Sequence, residues 1–327
     1  MNNFLAATIV NKFIVGGIGV SIVIIVGVVL VQQIIFHNES LKQETTVTQD
    51  DSSKIRVIAS FYPLYEFSKN IGGDKALVSV FTPIGVEPHD WEPSTGNLIS
   101  LEKSDIFVYN GGGMEPFVKK IIDSGEYHNV LFVDTTRNIE FLAENANDGH
   151  VHQFDPHVWL DPISAKEQVT IIKNAMVNAD PKNEKYYEDN ANAYSLKLDN
   201  LDSKIKNELA NCTKDTIVPF HNAFSYFGNR YGIHIHALSG LTPESEVSAS
   251  DLRAIIDYIK ENNIKIVFAE DLVDPKLAQV LADEAGTQIL VLSPLEGIKK
   301  EEQQKGVSYF DKMEENLMNI KLALECT

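Results

Sequence analysis

Runs of β-branched residues alternate along most of this chain with stretches whose apolar positions recur every three or four residues. "IRVIAS" (55–60), "ALVSVF" (76–81), "DIFVYN" (105–110) and "VLFVDT" (130–135) read as buried strands. Between them "YPLYEFSKNIGG" and "MEPFVKKIIDSG" read as helices closed by glycine. A second set follows, "TIVPF" (216–220), "GIHIHA" (232–237), "IKIVFAE" (264–270) and "QILVLS" (288–293), with helices over roughly 248–262, 275–285 and 303–324. This alternation predicts an α/β fold of two similar lobes, each a mostly parallel sheet covered by helices.

Between the two sets, apolar residues recur at Tyr187, Ala191, Tyr194, Leu198, Leu201, Ile205 and Leu209, one stripe on one helical face. No glycine or further proline interrupts the run after Pro181 as far as Asn211. The pattern predicts one long, rigid helix over 181–211, about 45 Å at 1.5 Å per residue. It would join an N-terminal lobe (55–180) to a C-terminal lobe (212–327).

The N-terminus follows a different pattern. From Phe13 to Phe36 there is no Asp, Glu, Lys or Arg, and about 20 such residues cross a hydrocarbon core. The stretch is longer than the apolar part of a secretory signal, and no A-x-A site follows it. Residues 1–36 are therefore expected to be an uncleaved transmembrane anchor, with a cleaved signal as the rival reading. Lys12 before the span favours the bulk of the chain lying outside the cytoplasm. Residues 37–54 are polar and without periodicity, which predicts a flexible tether.

Composition narrows the function. A net charge of −18 over 327 residues argues against nucleic acid as a partner. The two cysteines, Cys212 and Cys326, form an even pair that an oxidising compartment would allow to bridge, although sequence alone leaves their geometry open.

In open parallel sheets ligands collect outside the carboxyl ends of the strands. Metal-capable side chains fall there repeatedly: Glu87, His89, Asp90 and Glu92 after 76–81, and His150, His152, Asp155 and His157 in the loop after 130–135. His221 follows 216–220, Glu270 and Asp271 follow 264–268, and Glu296 follows 288–293. Imidazole nitrogens and carboxylate oxygens drawn from separate loops suit a divalent cation held between lobes. A lone loop histidine is usually a solvated side chain, and His37 and His128 are read in that way, whereas His234 and His236 alternate on a strand and are read as packing or hydrogen-bonding residues on one face.

"ASFYPLYEFSKNIGGD", "EPHDWEPS", "NGGGMEPFV", "DPHVWLDP", "HNAFSYFGNRYGI" and "LSPLEG" stand in an order and spacing that resemble the metal-specific solute-binding proteins of ABC importers, their zinc-uptake branch in particular, over residues 54–325. The resemblance implies that His89, His157 and His221 bind the metal, with the carboxylate of Glu296 as fourth ligand. It leaves Glu87, Glu270 or a water as alternatives at that fourth position. It implies Zn2+ as the transported ion, with Mn2+ as the alternative. Three neutral nitrogens also suit zinc better than the oxygen-rich sets of manganese.

"ENANDGHVHQF" looks like a short version of the His-rich loop of zinc-binding relatives. Glu87 and Glu270 are read as carboxylates that orient a histidine, Asp161 as a helix cap, and Trp91 and Trp159 as walls of the site. The implied partners are an ABC permease in the membrane and its cytoplasmic ATPase. The chain has no "GxxxxGK[ST]" loop and, apart from the anchor, no second spanning stretch. It is expected to work as an extracytoplasmic monomer and not as an enzyme. A membrane-anchored zinc hydrolase, with Glu87 or Glu270 as base, is the competing class, although no "HExxH" helix occurs. A surface adhesin with structural zinc is the third.

Overall fold

The structure is a computed structural model that describes residues 53–142, 154–243 and 245–327, of which 54–327 form one compact unit. The expected anchor, nearly all of the tether, and His150 and His152 lie outside the described residues. Among the described residues no helix is long and apolar enough to cross a membrane.

Strands β1 (Ile55–Ala59), β2 (Ala76–Val80), β3 (Ile106–Tyr109) and β4 (Leu131–Asp134) form an all-parallel sheet in the order β2-β1-β3-β4. Register runs Ile55 to Ala76, Val57 to Ile106 and Ile106 to Leu131. Helices α1 (Tyr62–Gly72), α2 (Thr95–Glu102) and α3 (Pro116–Ser124) make the crossovers. The hydrophobic pattern does not announce α2, because only Leu101 of its eight residues is buried; Ser94 and Asn97 start it with a reciprocal capping box.

Helix α4 (Pro162–Ala179) begins where Asp161 accepts from the amides of Ile163 and Ser164 and Pro162 takes the first helical position. It packs along α5 (Glu184–Glu208), the long helix. The apolar stripe of α5 is buried as the spacing requires: Tyr187, Ala191, Tyr194, Leu198, Leu201 and Ile205. The helix is shorter than 181–211, since Pro181–Asn183 form a 3-10 turn and the α-helix ends at Glu208. Its 25 residues span roughly 37 Å, not 45 Å.

The C-terminal half carries shorter strands than the sequence runs, β5 (Thr216–Ile217) paired with β6 (His234–Ile235) and β7 (Ile266–Ala269) with β8 (Gln288–Val291), both pairs parallel. A bond from the Phe268 amide to the Val218 carbonyl, 2.9 Å, links the two pairs. Helices α6 (Ser225–Tyr231), α7 (Ala249–Glu261) and α8 (Lys276–Ala285) accompany them. The single helix expected over 303–324 is two, α9 (Lys300–Lys305) and α10 (Tyr309–Ala323). Gly306, at φ 71°, stops the first and Ser308 with Asp311 caps the second.

The largest hydrophobic cluster does not stop at α5. It includes Val57, Phe61, Val108 and Trp159 from the first half and Ile217, Phe224, Phe268, Leu295 and Tyr309 from the second. The halves therefore share a core in addition to the linking helix. Polar ties reinforce it. Arg230 on α6 lies 2.6 Å from Asp202 on α5 and 3.2 Å from Asp161 at the head of α4. At the far end a disulfide joins Cys212, just past α5, to Cys326, just past α10.

Replacing both cysteines by serine releases a loop of 114 residues in the unfolded chain. It is expected to lower unfolding free energy by about 2–5 kcal/mol, read by denaturant titration. Burial works against charge on Asp202, but Arg230, Lys206 and Tyr231 outweigh it and hold the carboxyl at about 2, below its ordinary 3.8. A depressed carboxyl contributes stability above its unfolded pKa and loses it as pH falls through the folded one. Asp202→Asn should therefore flatten the stability profile between about pH 4 and pH 2 and cost most above pH 4. A profile parallel to that of the parent through this window contradicts the assignment.

Candidate metal centre

Four loops at the carboxyl ends of the strands meet at one point. His89 comes from the loop after β2, and its amide donates to Glu87 Oε1 at 3.2 Å. His157 follows a turn in which Asp155 Oδ1 accepts from both its amide, 2.9 Å, and its ring Nδ1, 2.8 Å. His221 follows β5 after the short extension Val218–Phe220, and Glu270 Oε1 accepts from its amide at 3.0 Å and its Nδ1 at 2.6 Å. Glu296 follows β8 in the "SPLEG" loop. Its neighbour Leu295 is fully buried at φ 58°, a left-handed conformation that a leucine holds only where surrounding packing enforces it.

These local devices fix the rings as well as the backbone. A carboxylate on Nδ1 keeps the proton there and presents the Nε2 lone pair inward. His157 Nε2 lies 3.3 Å from His89 Nε2 and 3.3 Å from His221 Nε2. Glu296 Oε1 lies 3.1 Å from His89 Nε2, 3.1 Å from His157 Nε2 and 3.3 Å from His221 Nε2. The four ligand atoms all fall within 4.8 Å of one another, on buried side chains. A cation with bonds of about 2.0–2.1 Å to four tetrahedral donors requires donor–donor edges of roughly 3.3–3.4 Å. Five of the six edges measured here are 3.1–3.3 Å.

The electrostatics favour positive charge at that point. Burial disfavours charge on His157, yet the Asp155 and Glu296 carboxylates raise its pKa, and Glu270 and Glu296 raise that of His221 well above the usual value. Burial likewise opposes charge on Glu296, but the three histidines hold it well below the carboxylate range. Glu87 moves the other way, pushed up to about 10 by burial and by repulsion from Glu296. Glu296 Oε2 is buried without a hydrogen-bond partner.

The four side chains expected as ligands thus converge. Glu270 is turned to His221 Nδ1 and Glu87 to the amide of His89, so neither carboxylate is placed as Glu296 is. Trp159 is buried 5.2 Å from the His157 ring, whereas Trp91 packs against Phe81 and Phe117. His128 and His234 are exposed, and His236 stacks on Tyr258.

A supporting network escapes sequence reading. Buried Glu115 accepts from Ser60 Oγ and the amides of Asn110 and Gly111. A Cβ on Gly111 would meet Asp134 Oδ1 at 2.6 Å. Asn110 in turn donates to the Pro156 carbonyl at 2.8 Å, next to His157, and accepts from Gln168. The three glycines of "NGGG" were the available signal.

The sequence matches the profile of the family described as zinc-uptake complex component A, periplasmic, over residues 57–323. The chain belongs to the ZnuA family. It is 37% identical over 281 residues to the high-affinity zinc uptake system protein ZnuA of Bacillus subtilis, covering 83% of this chain and 88% of that one. It is 35% identical over 277 residues to the zinc-binding lipoprotein AdcA of Streptococcus pneumoniae, covering 82% of this chain and 55% of AdcA, so it spans about half that relative's length. Its fold resembles the Zn(II)-bound ZnuA-like domain of AdcA at a TM-score of 0.73 and 34% identity, covering 83% of this chain and 99% of the domain. The laminin-binding protein Lmb of Streptococcus agalactiae, described as bifunctional with adhesin and metal-transporting activity, gives 0.76 at 29% identity, with coverages of 83% and 99%. ZnuA-family membership makes this chain a solute-binding protein of the α/β class.

His157→Ala or His221→Ala is expected to weaken zinc affinity by more than about 100-fold, since losing even an outer partner costs 10–100-fold. Glu270→Gln should cost about 10–100-fold. Chelator-competition titrations check both. Near-parental affinity in either histidine variant removes that residue from the ligand set.

Proposed function

We propose that this chain is the extracytoplasmic zinc-capturing component of an ABC importer, binding Zn2+ through His89, His157, His221 and Glu296 and delivering it to a membrane permease driven by a cytoplasmic ATPase. The observation that carries the reading is the set of donor–donor edges of 3.1–3.3 Å, matched to a tetrahedral zinc-sized cation. Three nitrogens and one oxygen favour zinc over manganese, which prefers oxygen-rich, six-coordinate sites.

A centre closed by four protein donors also favours holding an ion over hydrolysis. Catalytic zinc keeps one coordination position for water or substrate, and here Glu296 fills the fourth corner. Glu87 and Glu270, the residues available as bases, are engaged with His89 and His221. Residues 1–36 anchor the protein to the outer face of the cell membrane in this reading, residues 37–54 serve as its leash, and the working unit is a monomer.

Full-length chain presented with equimolar zinc and manganese, then desalted and analysed for elements, should carry about one zinc per chain and at least tenfold less manganese. Equal loading, or a manganese excess, defeats the zinc assignment. In the same preparation the chain should stay with washed membranes, and its release into the soluble fraction would replace the anchor by a cleaved signal.

A further inference from the structure

Helix α10 carries two polar residues where its packing calls for apolar ones. Tyr309, Lys312 and Asn316, spaced as neighbours on one helical face, are all buried. Lys312, at 2% exposure, is the only lysine or arginine among the buried described residues. A buried ammonium is costly unless it is paired and hydrogen-bonded. A leucine or methionine would fill the same position without that cost, so the polar groups are there for what they hold.

Each of the three reaches a different loop of the metal centre. The Lys312 ammonium lies 2.8 Å from Asp271 Oδ2, and Asp271 is the residue next to Glu270, which clasps His221. Asn316 brackets Ser293, accepting from its amide at 2.8 Å and donating to its carbonyl at 2.6 Å, at the base of the loop that carries Glu296. Tyr309 donates to the Trp159 carbonyl at 2.7 Å, two residues beyond His157. The Trp159 indole closes the circuit by donating to the Pro294 carbonyl at 2.8 Å.

The helix itself is fixed from behind. Lys312 also meets Glu302 on α9 at 3.1 Å, Glu314 pairs with Lys204 and Lys321 with Glu208 near the end of α5, and the Cys212–Cys326 disulfide lies just past its end.

We propose that this face of α10 is the brace that sets the affinity and selectivity of the metal centre, with Lys312 and Asn316 as positioning residues acting on His221 through Glu270 and on Glu296 through Ser293. The inference rests on the zinc-binding reading above and extends it to residues outside contact with the ligand set. A tetrahedral site discriminates against six-coordinate ions only while its donors cannot spread. Releasing the brace lets His221 and Glu296 move apart, so zinc is lost faster than manganese is.

The test uses full-length protein in detergent, with zinc and manganese affinities measured separately by chelator competition and folding checked by circular dichroism without metal. Lys312→Met is expected to weaken zinc binding on the order of tenfold, at the lower end of the range for lost outer partners, and to narrow the zinc-to-manganese ratio. Asn316→Ala is expected to do the same in smaller measure. Introduced into Glu270→Gln, Lys312→Met should add less than about twofold, because both changes cut the same path to His221.

A merely structural lysine predicts full additivity and an unchanged metal ratio, and that result overturns the proposal, as does parental zinc affinity in folded Lys312→Met. Should Lys312→Met not fold, Asn316→Ala, which removes no charge, decides by the same affinity and ratio criteria. If the unsubstituted chain itself fails to take up zinc, the zinc-binding reading falls first.

Discussion

Three imidazole nitrogens and a carboxylate oxygen gathered out of water, with five of their six separations at 3.1–3.3 Å, repel unless positive charge sits among them. Holding that arrangement is the constraint on which the rest of the structure depends. Two of the three histidines, His157 and His221, are clasped by a carboxylate on the ring, and His89 is held at its amide by Glu87. Asp155 and Glu270 each bind a ring nitrogen and the backbone amide of the same residue, so one carboxylate fixes both position and rotation. The buried carboxylates of Asp155, Glu270 and Glu296 also bias the site towards cations, and each leaves one oxygen, Oδ2 of Asp155 and Oε2 of Glu270 and Glu296, without a hydrogen-bond partner.

Such precision needs a rigid frame, and the shared core provides it. Two donors come from each half, His89 and His157 from the first, His221 and Glu296 from the second. Any shift of one half against the other changes the donor–donor edges. The bonds that resist it cross between halves: Trp159 to Pro294, Tyr309 to Trp159 and Tyr226 to the Asp155 carbonyl. The apolar cluster that runs from Val57 to Tyr309 does the same work without direction.

The strands of the first half and the buried stripe of α5 were legible because a parallel strand is a short apolar run and a packed helix repeats every 3.6 residues. The four converging side chains were legible because ligand loops follow strand ends and because "DPHVWLDP" and "EPHDWEPS" resemble a known family. Ends and breaks were harder to read. "TIVPF" suggested five strand residues and has two, since Pro219 offers no amide to a ladder. Gly306 split the last helix, although an isolated glycine is often tolerated within one. The support behind the ligands was not legible at all. Lys312 and Asn316 look like solvated helix residues in "YFDKMEENLMNIKLA", and only the fold shows them turned inward.

The position of Glu296 shows why the C-terminal half needs more structure than its sequence advertises. His157 and His221 sit beside the carboxylates that clasp them, and the strand end or turn does the rest. Glu296 has no such clasp: Oε1 faces the histidines, and Oε2 has no hydrogen-bond partner. Its position is set through the backbone of its loop, by a left-handed Leu295, a Gly297 whose Cβ would strike Leu272, and a Ser293 gripped on both sides by Asn316. Left-handed leucine costs on the order of 1–2 kcal/mol, and the buried side chain of Leu295 is what holds it there. A carboxylate placed by a strained, externally braced loop is, of the four proposed ligands, the one whose position depends most on distant residues. In a solute-binding protein of a zinc-uptake family, that dependence ties the position of the proposed fourth ligand to the packing of α10, through the grip of Asn316 on Ser293.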